Sequence, residues 1–251
     1  MIVDCHTHWG REWQDQHGAD PSAWLDILDQ HDVTHAVVLP EKGLFHAGKI
    51  EENHDEIAAV AARASGRMIP FCTANVWFRD DALRQITTAL GSQVFRGIKF
   101  HPWVQGASVS TPVMDEICEI AAEYDAPILF HDGTPPFSLP SQIALLAQRH
   151  PTTKIILGHS GLFEHWREAI AAIRSARNLW GCLCSTHLVA ISEIIRQCGP
   201  LRIVWGSDFV FNTPAILAFR LRMLDLLGLN ASQITAILSE NPKRLLKVNH
   251  S

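Results

Sequence analysis

The chain opens Met-Ile-Val-Asp-Cys-His-Thr-His, and His6 and His8 are the first residues whose type and spacing promise chemistry. In an extended strand, residues two apart project to the same side, so both imidazoles can approach one cation. Paired neutral imidazoles suit a borderline ion such as zinc, provided that further ligands arrive from elsewhere in the fold. Further candidates recur down the chain, each at the end of an apolar run. Lys99 and His101 follow Gly97-Ile98, His131 follows Ile128-Leu129-Phe130, His159 follows Ile155-Ile156-Leu157-Gly158, and Asp208 follows Ile203-Val204-Trp205-Gly206-Ser207. Any one of them alone reads as a hydrogen-bonded structural residue at a strand end. Together, metal-ligand side chains at the equivalent end of strands 1, 5, 6 and 8 read as one site. Lys99 and His101 share a face by the same two-residue spacing, which makes both of them pocket residues. Asp4 is expected beside His6, one layer deeper, as a carboxylate that supports a metal-bound histidine.

The elements that must position these residues alternate from end to end. Short β-branched runs predict strands at 2–6, 34–39, 68–74, 95–100, 127–131, 154–159, 179–184 and 202–207. Helical patterns fall between them at 21–31, 57–64, 112–124, 141–149, 165–176, 187–198 and 214–227, with extra C-terminal helices through Ile234 and Lys243. Pro21 suits a first helical position, and Thr111 is expected to cap a helix whose first turn carries Asp115 and Glu116. Eight strand–helix units with no linker between them predict one domain spanning 1–251, a (β/α)8 TIM barrel of α/β class with extra C-terminal helices. In such a barrel chemistry gathers where strands end, and the loops there are the long ones. They hold the basic residues Arg11, Lys42 and Arg79, suited to an anionic substrate, and an aromatic set including Trp9, Trp13, Trp77 and Trp103. That aromatic load suits an apolar pocket, and equally loop packing or the interface of a homo-oligomer.

Composition narrows the partners. The 251 residues carry 21 basic and 26 acidic side chains, a formal charge of -5, with the basic residues scattered; nucleic acid is not an expected partner. No apolar run approaches membrane-spanning length, and Met1 leads directly into a strand without a basic leader, so a cytoplasmic protein with no membrane partner is expected. The six cysteines lie in apolar segments and read as reduced, buried packing residues; Cys182-Leu183-Cys184 lacks the second thiolate pair of a soft metal site. The histidines away from strand ends, His54 among them, read as structural or solvated.

Asp-x-His-x-His at the start, Gly-Ile-Lys-Phe-His-Pro at 97–102, Phe-His-Asp-Gly at 130–133, Gly-His-Ser-Gly at 158–161 and Gly-Ser-Asp-Phe at 206–209 together resemble the amidohydrolase superfamily. More narrowly they resemble its amidohydrolase-related branch, which includes aminocarboxymuconate semialdehyde decarboxylase and several lactonases and hydratases. The resemblance runs from Asp4 to Glu240-Asn241-Pro242. It implies a divalent cation, zinc by expectation, held by His6, His8, His131 and Asp208, with Asp208 and His159 as the catalytic acid–base residues. Such an ion polarises a carbonyl and acidifies a water whose proton Asp208 can accept. In two-metal members a carboxylated lysine on strand 4 bridges the ions, and Lys99 stands on strand 4. Its motif is that of the branch in which one ion per chain is expected, two only if Lys99 is carboxylated. Otherwise Lys99 binds substrate as an ammonium ion, with His101, Arg11, Arg79 and Trp103 around it.

The function expected is hydrolysis of a small, carboxylated lactone, ester or amide by metal-activated water. Non-oxidative decarboxylation of an unsaturated or aromatic acid is the alternative for the same centre. A metal- or metabolite-binding barrel without turnover is the non-enzymatic one.

Overall fold

The structure is a computed structural model that describes residues 1–9, 21–209 and 215–248. Its elements run β1 (Ile2–Trp9), α1 (Pro21–Asp29), β2 (Val33–Pro40), α2 (Lys42–Phe45), α3 (Ile50–Ala62), β3 (Met68–Cys72), α4 (Arg79–Gly91), β4 (Gly97–Phe100), α5 (Val113–Glu123) and β5 (Ile128–Phe130). They continue with α6 (Pro140–Arg149), β6 (Ile155–Leu157), α7 (Trp166–Ser175), β7 (Leu179–Cys182), α8 (Leu188–Cys198), β8 (Ile203–Val204) and α9 (Ala215–Asp225). After α10 (Ala231–Thr235), a π-helical turn at Ala236–Glu240 leads into α11 (Asn241–Leu246).

All eight strands are parallel and neighbours in sequence pair in order, which is the expected (β/α)8 barrel. β8 returns to β1 through Cys5 N–H to the Trp205 carbonyl at 3.0 Å and Asp208 N–H to the His6 carbonyl at 2.9 Å. These two bonds close the ring and set the Asp208 segment directly beside His6. β5, β6 and β8 are short, and their Ile, Val and Leu side chains are buried on both sides. One layer packs strands against helices; α7 shows how, turning Trp166, Ala169, Ile170 and Ile173 inward at helical spacing and leaving Arg174 outside. The other fills the ring with residues such as Val37, Leu39, Phe71, Leu129 and Ile156, and Leu245 and Leu246 of α11 join it. Burying one such side chain contributes about 1.5–3 kcal/mol.

The structure departs from the sequence reading in five places. The helical set misses α4, whose buried stripe of Ala82, Ile86, Ala89 and Leu90 is narrow beside its charged and threonine-rich remainder. It also misses the short α2, and α3 starts at Ile50, earlier than its alanine-rich half suggests. Thr111 is not a side-chain cap: α5 is preceded by Pro112 without one. Finally, β1 is not a flat strand. Asp4 pairs with Ala36 and Thr7 with Val38, so Cys5 and His6 face the single residue Val37 across a β-bulge.

Candidate active site

His6 is placed first by its backbone and then by its ring. Its N–H donates to Asp4 Oδ1 at 3.1 Å, and the same oxygen accepts from Ser207 N–H at 3.0 Å, so buried Asp4 ties β1 to the segment after β8. Burial pushes the Asp4 carboxyl up to about 7 against these bonds. The His6 Nδ1 lies 3.1 Å from the Gly158 carbonyl. A carbonyl only accepts, so Nδ1 carries the proton and Nε2 keeps a free lone pair. Two glycines make room for the ring. A Cβ on Gly206 would stand 2.6 Å from His6 Cβ, and one on Gly158 would stand 2.6 Å from the Phe130 carbonyl and 3.2 Å from His6 Cε1.

That free Nε2 meets two further potential ligand atoms. His8 Nε2 is 3.3 Å away, as the two-residue spacing predicts, and Asp208 Oδ1 lies 3.5 Å from His6 Nε2 and 3.3 Å from His8 Nε2. The other oxygen of Asp208 accepts from Ser185 Oγ at 2.7 Å, which leaves Oδ1 facing the imidazoles. Ser160, Ser185 and Asp208, after β6, β7 and β8, hold left-handed backbone at φ of 48°, 55° and 62°. Non-glycine residues adopt that conformation at a cost of about 1–3 kcal/mol each, and it clusters where side chains must be aimed. Two nitrogens and a carboxylate oxygen within 4.8 Å of one another form a donor set that fits a borderline divalent cation.

A second imidazole group adjoins the first. His159 Nε2 lies 2.8 Å from His131 Nδ1, His131 stacks on His101 with centroids 3.8 Å apart at 13°, and the His159 ring centroid is 4.8 Å from that of His6. His131 thus meets His159 rather than the His6–His8–Asp208 triad. The position of His159 is set by Asp132, a residue that sequence reasoning passed over. Buried Asp132 accepts from His159 N–H through Oδ1 and from Gly161 N–H through Oδ2, both at 2.6 Å, while Thr186 Oγ1 donates to the His159 carbonyl at 2.6 Å. The one signal for Asp132 was its place directly after His131 in Phe-His-Asp-Gly.

Burial dominates the charge states. It holds His6, His131 and His101 well below the ordinary histidine range, helped by nearby Lys99 or neighbouring imidazoles. It lowers His159 to about 4 although Asp208 pulls the other way. Burial would raise Asp208, but the hydrogen bond with His8 and the imidazoles of His6 and His159 prevail and keep it well below the carboxylate range. Near neutral pH the centre therefore presents unprotonated nitrogens and an ionised carboxylate, the forms that bind metal. Lys99 is fully buried, and its Nζ has no hydrogen-bond partner. Burial lowers it to about 8 against the pull of Asp208, Cys184 and Asp132. An unpartnered cationic donor beside a triad open to the ring's end is a place for an anionic group of a ligand.

The outer residues divide. Trp103, 52 % exposed, stands 5.9 Å from the His101 ring at the mouth. Trp9 belongs to the core, edge-on to Trp24 at 6.4 Å. Arg79 is paired with Glu116 and Asp80 where α4 and α5 begin, and Lys42 with Glu52 and Glu56. Neither basic group is turned free to the triad. Arg11 and Trp13 lie outside the described residues.

An α/β barrel with imidazoles and a carboxylate gathered at the strand ends defines a class of metal-centred enzymes. The family model described as amidohydrolase matches residues 3–248, so the chain belongs to the amidohydrolase family. Family members use divalent metals. A comparison with curated proteins finds no match. Among solved structures, the fold is similar to 2,6-dihydroxybenzoate decarboxylase from Rhizobium at 15% identity, TM-score 0.75, covering 98% of each chain. It is similar to a dihydroxybenzoic acid decarboxylase from a Polaromonas species, with bound manganese and 2-nitroresorcinol, at 13% identity, TM-score 0.76, covering 100% of this chain and 98% of that one. It is also similar to a probable 2-pyrone-4,6-dicarboxylic acid hydrolase from Acinetobacter baumannii with citric acid bound, at 11% identity, TM-score 0.71, covering 98% and 99%. At these identities the likeness concerns the fold.

Proposed function

We propose that the protein is a zinc-dependent hydrolase that opens a small, carboxylated lactone, ester or amide. His6, His8 and Asp208 would hold the cation, with His131 as the further ligand implied by the family. When bound, the cation supplies Lewis-acid polarisation of a carbonyl oxygen and a more acidic water. The chain's own residues do the rest. Asp208, ionised and anchored by Ser185, takes a proton on Oδ1. His159, held in place by Asp132 and Thr186, provides a second proton acceptor and returns that proton to the leaving oxygen or nitrogen. Lys99 pairs with a substrate carboxylate, whose negative charge stabilises the ammonium form in the buried site. His101 and Trp103 flank the mouth as an apolar wall.

The observation that supports hydrolysis is geometric: Asp208 Oδ1 faces the paired imidazoles of His6 and His8 while its other oxygen is anchored by Ser185, and the His159 ring stands 4.8 Å from that of His6, so two proton acceptors flank the histidine pair where a water would be activated. Decarboxylation instead needs a proton donor to carbon. It stands as the second reading because Lys99 is a buried donor with no partner of its own. A panel of carboxylated lactones, esters and amides, together with unsaturated and aromatic acids, should be assayed in parallel for acid release and carbon dioxide. Acid release without loss of carbon is expected. Carbon dioxide from an acid, with no turnover of any lactone, ester or amide, would replace the first reading by the second.

A further inference from the structure

The segment after β7 brings a thiol to the metal centre. Cys184 is fully buried, and its Sγ closes a second group of potential ligand atoms with one nitrogen each from His6 and His159, all within 4.8 Å of one another. This group shares His6 with the His6–His8–Asp208 triad. Because Nδ1 of His6 is committed to the Gly158 carbonyl, the nitrogen it can offer to either group is Nε2, and one lone pair serves one ion. The two groups meet at that nitrogen, so the Cys184 thiol lies within ligand range of the lone pair that His8 and Asp208 also face, while His159 keeps its place as the acid–base group. The thiol's own polar contact is weak, with Ser185 Oγ at 3.9 Å.

We propose that Cys184 is a ligand of that cation, binding as a thiolate. Its S–H proton passes to solvent as the sulfur–metal bond forms, so metal uptake releases a proton from the thiol. The proposal rests on the reading that His6, His8 and Asp208 hold a divalent ion. Its consequence is selectivity. A soft thiolate added to imidazole and carboxylate favours zinc, cobalt and cadmium over manganese and magnesium. Cys182 supplies a matched control, because it is equally buried in the same strand-end run and belongs to neither ligand group.

The probe is cobalt(II) added to the metal-free full-length protein, read by absorption. Wild type is expected to bind one equivalent, showing visible ligand-field bands and a near-ultraviolet thiolate-to-cobalt charge-transfer band. Cys184→Ser should keep the ligand-field bands, lose the charge-transfer band and weaken zinc binding by about tenfold to a hundredfold, while manganese binding changes by less than about threefold. Cys182→Ser should keep the charge-transfer band. Ligand-field bands without a charge-transfer band in wild type would overturn thiolate ligation and leave the histidine–aspartate site standing, an outcome that needs no variant to fold. Absence of any cobalt binding would overturn both. A charge-transfer band that survives Cys184→Ser and vanishes in Cys182→Ser would also reject Cys184.

Discussion

In the proposed reaction His159 and Asp208 divide the proton work, and each is aimed by a neighbouring residue. Asp132 clamps the backbone on both sides of the His159 turn, and Ser185 occupies the outer oxygen of Asp208. His159→Asn should therefore lower turnover by roughly two to four orders of magnitude, the scale of a lost positioned acid or base, while metal content stays near that of wild type. Elemental analysis of the purified variant decides the second half; joint loss of metal and activity would make His159 a ligand. At this scale, legibility in the sequence followed one rule. His6, His8, His131, His159 and Asp208 could be found because each ends an apolar run, so the topology alone brings them to one mouth. Asp132 and Ser185 are not singled out by the sequence, and Cys184 reads there as a buried packing residue. Their roles arise from how left-handed turns fold the chain back over the strand ends, and short-range periodicity carries no trace of that.

Among the elements, the bulge in β1 and the glycines after β6 and β8 do for His6 what a regular strand would not. A Gly206→Ala variant would press its Cβ to 2.6 Å from His6 Cβ and 2.8 Å from Cys182 Sγ. We expect a destabilisation of about 1–3 kcal/mol, typical of overpacking, together with weakened metal binding. Denaturant unfolding and cobalt titration measure the two effects, and an unchanged cobalt affinity would show that His6 does not depend on that space. The helix α3 supplies a test of a different kind. His54 Nε2 accepts from Thr73 N–H at 3.1 Å beneath the Phe95 ring, and burial lowers its pKa from 6.5 to about 4. Between those values the unfolded chain binds a proton that the folded chain does not. Stability from this group is thus complete above about pH 6.5 and declines as pH falls towards 4, by up to about 3 kcal/mol. Urea unfolding at pH 7 and pH 5 should show a smaller loss on acidification for His54→Gln than for wild type. Equal losses would place the acid sensitivity elsewhere. α3 also illustrates the limit of sequence patterning: its alanine-rich half was recognisable, whereas its first turns and all of α4 present narrow apolar stripes among charges.

For the whole molecule, the barrel was legible because eight buried runs alternate with amphipathic segments, and closure needed only that β8 reach β1. The closing seam is also the candidate metal site, since the bonds from Asp208 N–H to the His6 carbonyl and from His8 N–H to the Phe209 carbonyl, both 2.9 Å, are ring-closing bonds. Asn241 Nδ2 braces the same strand from the far end by donating to the Ile203 carbonyl at 2.7 Å. A cation at the seam should therefore stabilise the fold as well as serve catalysis, by linkage of binding to folding. Among the described residues, no helix is long and apolar enough to cross a membrane. The account turns on whether that seam holds a divalent ion. The most direct measurement is the metal-to-protein ratio, by elemental analysis, of wild type, His8→Ala and Asp208→Ala purified without chelator. About one divalent ion per wild-type chain, and little in either variant, is the predicted result. Wild type carrying no more metal than the two variants would contradict it.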